Sequence, residues 1–250
     1  MSDLVILRHG ESTWNKENLF TGWVDVELSD KGIQEATQAG QVMAEEGLNF
    51  DIVYTSILKR AIYSAELALR QMDLSWLKVI KHWRLNERHY GSLQGLDKVE
   101  TAKRYGDDQV KIWRRSYDVR PPLVSITDSN HPSNDKKYSH LSPDILPLGE
   151  CLKDVVERML PYWHDEIAPK LMEGKNVLIV AHGNSLRALM MHLEKISEQD
   201  IMELNLPTGI PRRYSFDLKD PCTPKQAGYM GDQEKLAHAI EAVANQAKPT

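Results

Sequence analysis

Residues 4–12 read LVILRHGES, and residues 177–185 read VLIVAHGNS. Each stretch is a short apolar run rich in Val, Ile and Leu that ends in His-Gly followed by small polar residues. A run without polar alternation is the pattern of a strand buried on both faces, as in a parallel sheet. In doubly wound sheets, ligands bind beyond the carboxyl ends of such strands. Arg8-His9 stand at one such end and His182 at the other. One strand-end pattern used twice is the first sign of a site.

Working outward, Asp51–Thr55, Lys78–Lys81 and Arg213–Leu218 read as further central parallel strands. Helical patterns lie between them. Ile33, Ala36, Gly40 and Met43 recur at helix spacing behind Ser29, a plausible N-cap. Leu58, Ile62, Ala65, Leu69 and Met72 make a second apolar face. Leu152, Val155, Val156, Met159 and Trp163 make a third, in which Pro161 predicts a kink or break. Leu186, Leu189, Met190 and Leu193 make a fourth. Strands alternating with helices predict a three-layer, doubly wound α/β fold: a mostly parallel sheet with helices on both faces. Two segments depart from the rhythm. Residues 114–149 are polar, proline-rich and too long for an ordinary connection. A tail begins at about residue 228, and within 232–246 Leu236, Ala239, Ile240 and Val243 share one face of an expected docking helix.

The chain of 250 residues suits one large α/β domain, here taken as 1–250. Its net charge of −5 gives no general attraction for nucleic acid or an anionic membrane. An anionic ligand therefore needs positive charge gathered locally. No apolar run is long enough to span a bilayer, and the start of the chain has no signal-peptide pattern. Cys151 and Cys222 have neither metal-like nor redox-like spacing. The cytoplasm is the expected location.

Arg8, His9, Arg60 and His182 each follow a predicted strand closely. Arg60 falls near a helix start, where free N–H groups favour an anion, and glycines after both histidines allow close backbone approach. There is no H-E-x-x-H, no paired cysteine, no P-loop and no G-x-G-x-x-G, so neither a metal nor a nucleotide cradle is indicated. A lone histidine after a strand is ordinarily a satisfied polar group, and adjacent arginines are ordinarily solvated. The repetition points instead to phosphate. More cations gather in NERHYGSLQGLDK (86–98) and WRRSY (113–117), which carry Arg88, Lys98, Arg114 and Arg115. Arginine can grip phosphate or carboxylate through a planar fork, whereas lysine acts as a point charge. Glu87 among them needs a reason, and proton exchange with a substrate hydroxyl supplies one.

Taken together, LRHGESTWN (7–15), FTGW (20–23), SILKRA (56–61), ERHYGSLQGLDK (87–98), RRSYD (114–118), LPLGECLKD (146–154), AHGNSLRAL (181–189) and LPTGIP (206–211) resemble the 2,3-bisphosphoglycerate-dependent phosphoglycerate mutases of the histidine phosphatase superfamily. The likeness runs nearly end to end. It implies interconversion of 3- and 2-phosphoglycerate, in glycolysis and gluconeogenesis, through a phosphohistidine primed by 2,3-bisphosphoglycerate and without a metal. It also implies phosphoglycerates as the partners, with assembly as a homodimer or homotetramer. By the same resemblance His9 is the nucleophile and Glu87 the proton donor and acceptor. A protonated His182, with Arg8 and Arg60, stabilises the transferring group. Gly10, Ser12, Asn15, Thr21, Gly22, Arg88, His89, Tyr90, Lys98, Arg114, Arg115, Gly183 and Asn184 join these five as phosphoglycerate-binding residues. Two alternatives remain: a phosphatase of the same superfamily, and a non-catalytic phosphoprotein-binding module. Lys98 and Arg114-Arg115 argue against the first, and Glu87 against the second. The tail is expected to close over the site and exclude water.

Overall fold

The apolar runs become strands, and their pairing brings distant segments together. The computed structural model describes residues 1–129, 131–218 and 223–244. Strands β1 (Ser2–Arg8), β2 (Ile52–Thr55), β3 (Val79–Lys81), β4 (Val177–Ala181), β5 (Arg212–Phe216) and β6 (Gln226–Tyr229) form a sheet of order β3-β2-β4-β1-β5-β6. The helices are α1 (Thr13–Lys16), α2 (Asp30–Glu45), α3 (Lys59–Gln71), α4 (Lys98–Tyr105), α5 (Asp107–Arg115), α6 (Leu152–Tyr162), α7 (Ala168–Met172), α8 (Gly183–Glu194) and α9 (Gln233–Ala244). The arrangement is the α/β fold expected, with β3, β2, β4 and β1 mutually parallel.

Successive residues of a strand face opposite sides, so a strand covered on both faces must be apolar throughout. Leu4, Ile6, Tyr54 and Ile179 pack on the α6, α7 and α8 side, around the fully buried Trp163. Val5, Leu7, Val53, Leu178 and Val180 pack against α2 and α3. Truncating Trp163 to Ala would cost ~3–5 kcal/mol. Where α2 meets α3, a Cβ on Gly40 would lie 2.4 Å from the Ala68 carbonyl oxygen, so only glycine allows this backbone approach. Ser29 caps α2 by accepting from the Gly32 N–H at 3.1 Å.

Four expectations need correction. The last predicted strand is not parallel: β5 runs antiparallel to β1 and ends at Phe216. The chain after α8 climbs back to the carboxyl end of β1, where the Gly209 N–H reaches the Arg8 carbonyl at 3.0 Å, so the next strand has to descend. Its sequence alternates accordingly. Tyr214 and Phe216 are buried on one face, with Arg212 at its end bonded to Tyr214 Oη at 3.0 Å, while Arg213 on the other face pairs with Asp3 at 2.7 Å. Ile33 is turned to solvent, although Ala36, Gly40 and Met43 are buried as expected. Pro161 does not end α6, which reaches Tyr162 and then widens into a π-turn over Trp163–Ile167. Pro161 and Pro169 both lack the N–H of a regular ladder, and the wide turn lies between them. Finally, Arg114 and Arg115 belong to the last turn of α5, not to the insert. The described insert is ordered by packing: Tyr138 is buried and stacks on Trp23 with ring centroids 4.9 Å apart.

Leu236 anchors α9 as a docked helix; residues 245 and 246 of its expected span, and Cys222, lie outside the described residues. Cys151 is a buried free thiol. No helix among the described residues is long and apolar enough to cross a membrane.

Candidate active site

Because β1 and β4 are adjacent and parallel, Arg8 lies opposite Ala181, and the His9 N–H reaches the Ala181 carbonyl at 3.0 Å. The two histidines therefore emerge side by side rather than from opposite sides. Their rings stand 4.9 Å apart, edge to face. His9 Nδ1 lies 2.6 Å from the Gly10 carbonyl oxygen. A carbonyl only accepts, so Nδ1 carries the proton and Nε2 keeps a free lone pair. Burial, then the charges of Arg60 and Arg8, hold the ring well below the ordinary histidine range. It is neutral and nucleophilic at neutral pH.

His182 Nε2 shares a 2.7 Å hydrogen bond with Ser56 Oγ. Burial, then Arg60 and His9, hold this ring well below its usual range too. The expected protonated His182 is thus not what the protein's own groups favour. A proton there requires negative charge brought by a phosphoryl group.

The Arg60 guanidinium is buried and donates to the carbonyls of Gly22 at 2.7 Å and Val24 at 2.9 Å. The helix start beside it is already capped: Asp25 Oδ1 accepts the Lys59 N–H at 2.8 Å and Ser56 Oγ the Leu58 N–H at 3.1 Å. Arg60 contributes its side-chain charge, and the N-terminus of α3 does not supply the anion site expected of it. Arg8 Nη1 donates to the Leu206 carbonyl at 2.6 Å. The Nε atoms of Arg8 and Arg60 and Thr21 Oγ1 are buried without a protein partner.

Glu87 Oε1 accepts from the backbone N–H of Arg88 at 2.7 Å and of Asn184 at 3.1 Å. Among the described residues, no donor binds Oε2. The backbone that carries Glu87 is clamped. Trp23 Nε1 donates to the Glu87 carbonyl at 2.5 Å, and Arg158 Nη2 reaches the carbonyls of Asn86 and Glu87 at 2.9 Å. Arg158 is itself paired with buried Glu150 at 2.5 Å.

A second group of cations comes from the helix pair α4–α5. Lys98 is the first residue of α4, and Arg114 and Arg115 are the last two of α5. Burial above all, then Arg114 and Arg8, push the Lys98 ammonium down to about 7. Burial likewise takes Arg114 down to about 10 and lowers Arg115. One cavity is lined by Arg8, His9, Asn15, Thr21, Gly22, Arg60, Glu87, Tyr90, Lys98, Arg114, Arg115, Gly183 and Asn184. Among the described residues, Glu87 is the only carboxylate on that wall.

Residues 4–217 match the model of the histidine phosphatase superfamily, branch 1. The chain belongs to that superfamily. Similar solved structures include a mycobacterial glucosyl-3-phosphoglycerate phosphatase complexed with VO3, 24% identical with a TM-score of 0.66 over 86% of this chain and 93% of that one. The alpha-ribazole phosphatase of Shigella flexneri is 21% identical, TM-score 0.61, over 86% and 91% of the two chains. Bacillus stearothermophilus YhfR is 23% identical, TM-score 0.67, over 90% and 94%. At these identities the likeness establishes the fold, and the family match establishes an enzyme of histidine phosphatase phosphoryl-transfer chemistry.

Five expected site residues stand behind the cavity wall. His182 meets the His9 ring edge to face, and Arg88 stacks on the Tyr90 ring at 4.5 Å while donating to the Arg114 carbonyl at 2.8 Å. A Cβ on Gly10 would lie 2.1 Å from the Gly32 carbonyl oxygen, so this glycine admits α2 rather than a ligand. Ser12 caps α1 and fixes Asn15, each side chain accepting the other's backbone N–H at 3.1–3.2 Å. His89 is buried beside Trp23, accepts the Gly91 N–H at 3.0 Å, and is pushed down to about 3, mainly by burial. Conversely, Leu19, Phe20, Leu204, Leu206 and Arg187 line the cavity without having been singled out as site residues, and Val243, named only as part of the tail helix, joins them. The apolar ones carry no chemical signal in sequence. Arg187 does, because it stands one helical turn beyond Gly183. Among the described residues, no cluster of His, Cys, Asp or Glu could hold a metal ion.

Proposed function

We propose that this enzyme interconverts 3-phosphoglycerate and 2-phosphoglycerate through a phosphohistidine at His9 Nε2, primed by 2,3-bisphosphoglycerate, as a cytoplasmic step of glycolysis and gluconeogenesis. One observation carries the reading: two sets of cations share a single cavity, Arg8 and Arg60 beside the histidines, and Lys98, Arg114 and Arg115 from α4–α5. Hydrolysis of a simple phosphate ester needs only the first set. A three-carbon acid bearing a phosphoryl group and a carboxylate, or two phosphoryl groups, engages both. The unpartnered donors of Arg8, Arg60 and Thr21 suit phosphoryl oxygens.

In this reading the neutral His9 Nε2 is primed by attacking one phosphorus of 2,3-bisphosphoglycerate as the bond to the glycerate oxygen breaks. The Glu87 carboxyl gives its proton to that oxygen. The phosphohistidine then passes its group to the free hydroxyl of an incoming 3-phosphoglycerate, whose proton Glu87 takes back. Attack of His9 on the other phosphoryl group of the bisphosphate so formed leaves 2-phosphoglycerate and restores the phosphohistidine, with no net proton or phosphate released. Arg8 and Arg60 stabilise the charge on the transferring oxygens; arginines in such a role contribute ~10³–10⁵ in rate elsewhere. His182 takes a proton as that negative charge approaches. No step calls for a metal.

The test is isomerisation of 3-phosphoglycerate with and without added 2,3-bisphosphoglycerate, with inorganic phosphate followed in parallel. Isomerisation that depends on the bisphosphate supports the proposal. Phosphate release without isomerisation overturns it in favour of a phosphatase. We further propose a homodimer or homotetramer, because β3 is a bare sheet edge and Trp76 just before it is 76% exposed. Light scattering that returns a monomer mass overturns this.

A further inference from the structure

Arg187 lies on α8, one turn beyond Gly183 and Asn184, and lines the cavity while being 5% exposed. Its guanidinium is spread across two acceptors. Nη1 donates to Asn184 Oδ1 at 2.9 Å, and Nη2 donates to the carbonyl of Ile201. Nε is buried without a protein partner. Both acceptors are neutral; burial above all, then the charges of Arg115 and Arg88, take its pKa down to about 9 against the smaller opposing pull of Tyr90 and Glu87. A buried cation among cations is costly unless something compensates it. This one is held in place by a rigid fork, and among the described residues no carboxylate pairs with it directly.

The consequence falls on Asn184. Its backbone N–H is committed to Glu87 Oε1, and its side-chain carbonyl is committed to Arg187. The amide is therefore locked with its NH2 turned toward Tyr90 Oη, 3.5 Å away, on the cavity wall. Without the fork, the amide could flip and present a carbonyl oxygen to an anion.

We propose that Arg187 is a positioning residue that orients the Asn184 amide as a donor to the non-transferred end of the substrate. The proposal rests on the reading of the cavity as a phosphoglycerate site. A fork is needed because the two acceptors lie on different elements, α8 and the turn at Asp200–Met202. Lysine keeps the charge but offers no planar fork.

The experiment measures equilibrium binding of 3-phosphoglycerate and of inorganic phosphate to wild-type protein, Arg187→Met, Arg187→Lys, Asn184→Ala, Arg60→Met and the double variant Arg187→Met/Asn184→Ala. Arg187→Met and Asn184→Ala should each weaken 3-phosphoglycerate by roughly 10- to 100-fold, the range of a hydrogen bond involving a charged group. The double variant should be no more than about threefold weaker than the worse single, since both remove one contact. Arg187→Lys should behave like Arg187→Met, and phosphate binding should move by less than about threefold in all three single variants on α8. Additive losses, an equal loss for phosphate, or wild-type binding by Arg187→Lys overturns the positioning role. If Arg187→Met fails to fold, Arg187→Lys combined with Asn184→Ala reads the same coupling. If wild type and Arg60→Met bind phosphate equally, the reading of the cavity itself fails, and this proposal fails with it.

Discussion

The floor and the rim of the cavity are built differently. On the floor, His9, His182 and Arg60 sit at the ends of β1, β4 and the start of α3, and each has a ring or guanidinium hydrogen bond to the protein at 2.6–2.9 Å. On the rim, Lys98 reaches Asn18 Oδ1 at a long 3.4 Å, and the rim cations lie on two short helices with their charges disfavoured by burial and by one another. The floor has its geometry fixed before any ligand arrives. The rim stores unfavourable charge that an anionic ligand relieves. Floor changes should therefore strike the chemical step, and rim changes should strike affinity and the exclusion of water.

The largest expected effect breaks the floor. His9→Ala should abolish turnover and leave the fold intact, because the lost ring hydrogen-bonds only its neighbour's carbonyl. Intact-mass measurement after incubation with 2,3-bisphosphoglycerate should find one acid-labile phosphoryl adduct on wild type and none on the variant; an adduct of full yield on the variant sinks the assignment. Next comes Glu87→Gln, which keeps the shape and removes the titrating group. Its turnover should fall ~10²–10⁴-fold with little change in KM, and a loss of only a fewfold would move the proton-transfer role elsewhere.

Rim effects are smaller and depend on pH. Lys98 is charged below about pH 7 and neutral above it in the ligand-free protein. A bound anion raises its pKa, so binding above that pH takes up a proton. KM for 3-phosphoglycerate should then rise with pH by up to ~10-fold per unit above neutrality, until the pKa of the complex is reached. The second ionisation of the substrate phosphate, near pH 6, acts below this window. Lys98→Arg should flatten the slope; an unchanged slope would place the titration elsewhere.

The tail sharpens the comparison, because Val243 of α9 contributes to the cavity wall. The strand β6 and buried Met230 belong to the sheet and core, so an informative truncation follows Gly231 and leaves both in place. It should lower isomerisation and raise phosphate release relative to product several-fold, with Tm changed by a few degrees at most. The same ratio as wild type would put water exclusion in the insert around Tyr138. The smallest effect is none at all: EDTA should leave the rate unchanged, and loss restored by one divalent ion would contradict an Arg–His site.

What the sequence determined by itself is whatever is encoded over one strand, one turn or one helix face. The unbroken apolar runs fix β1 and β4 as doubly buried, Ser29 fixes the start of α2, and His-Gly after each run fixes where the chemistry sits along the chain. The family motifs extended that local reading to Glu87, Lys98, Arg114 and Arg115. The tertiary structure decided everything set by contacts between distant segments. Leu4 pairs with Val177 across 173 residues, and only that register sets the histidine rings 4.9 Å apart. The descent of β5 depends on where the chain after α8 returns to β1. Which polar residues face the cavity and which brace it, with His89, Gly10 and Ser12 behind the wall and Arg187 in it, depends on packing that no local spacing records. The neutral state of His182 has the same origin. Desolvation and the charges of Arg60, His9, Arg158 and Arg8 act through space, on a ring whose sequence neighbours are uncharged.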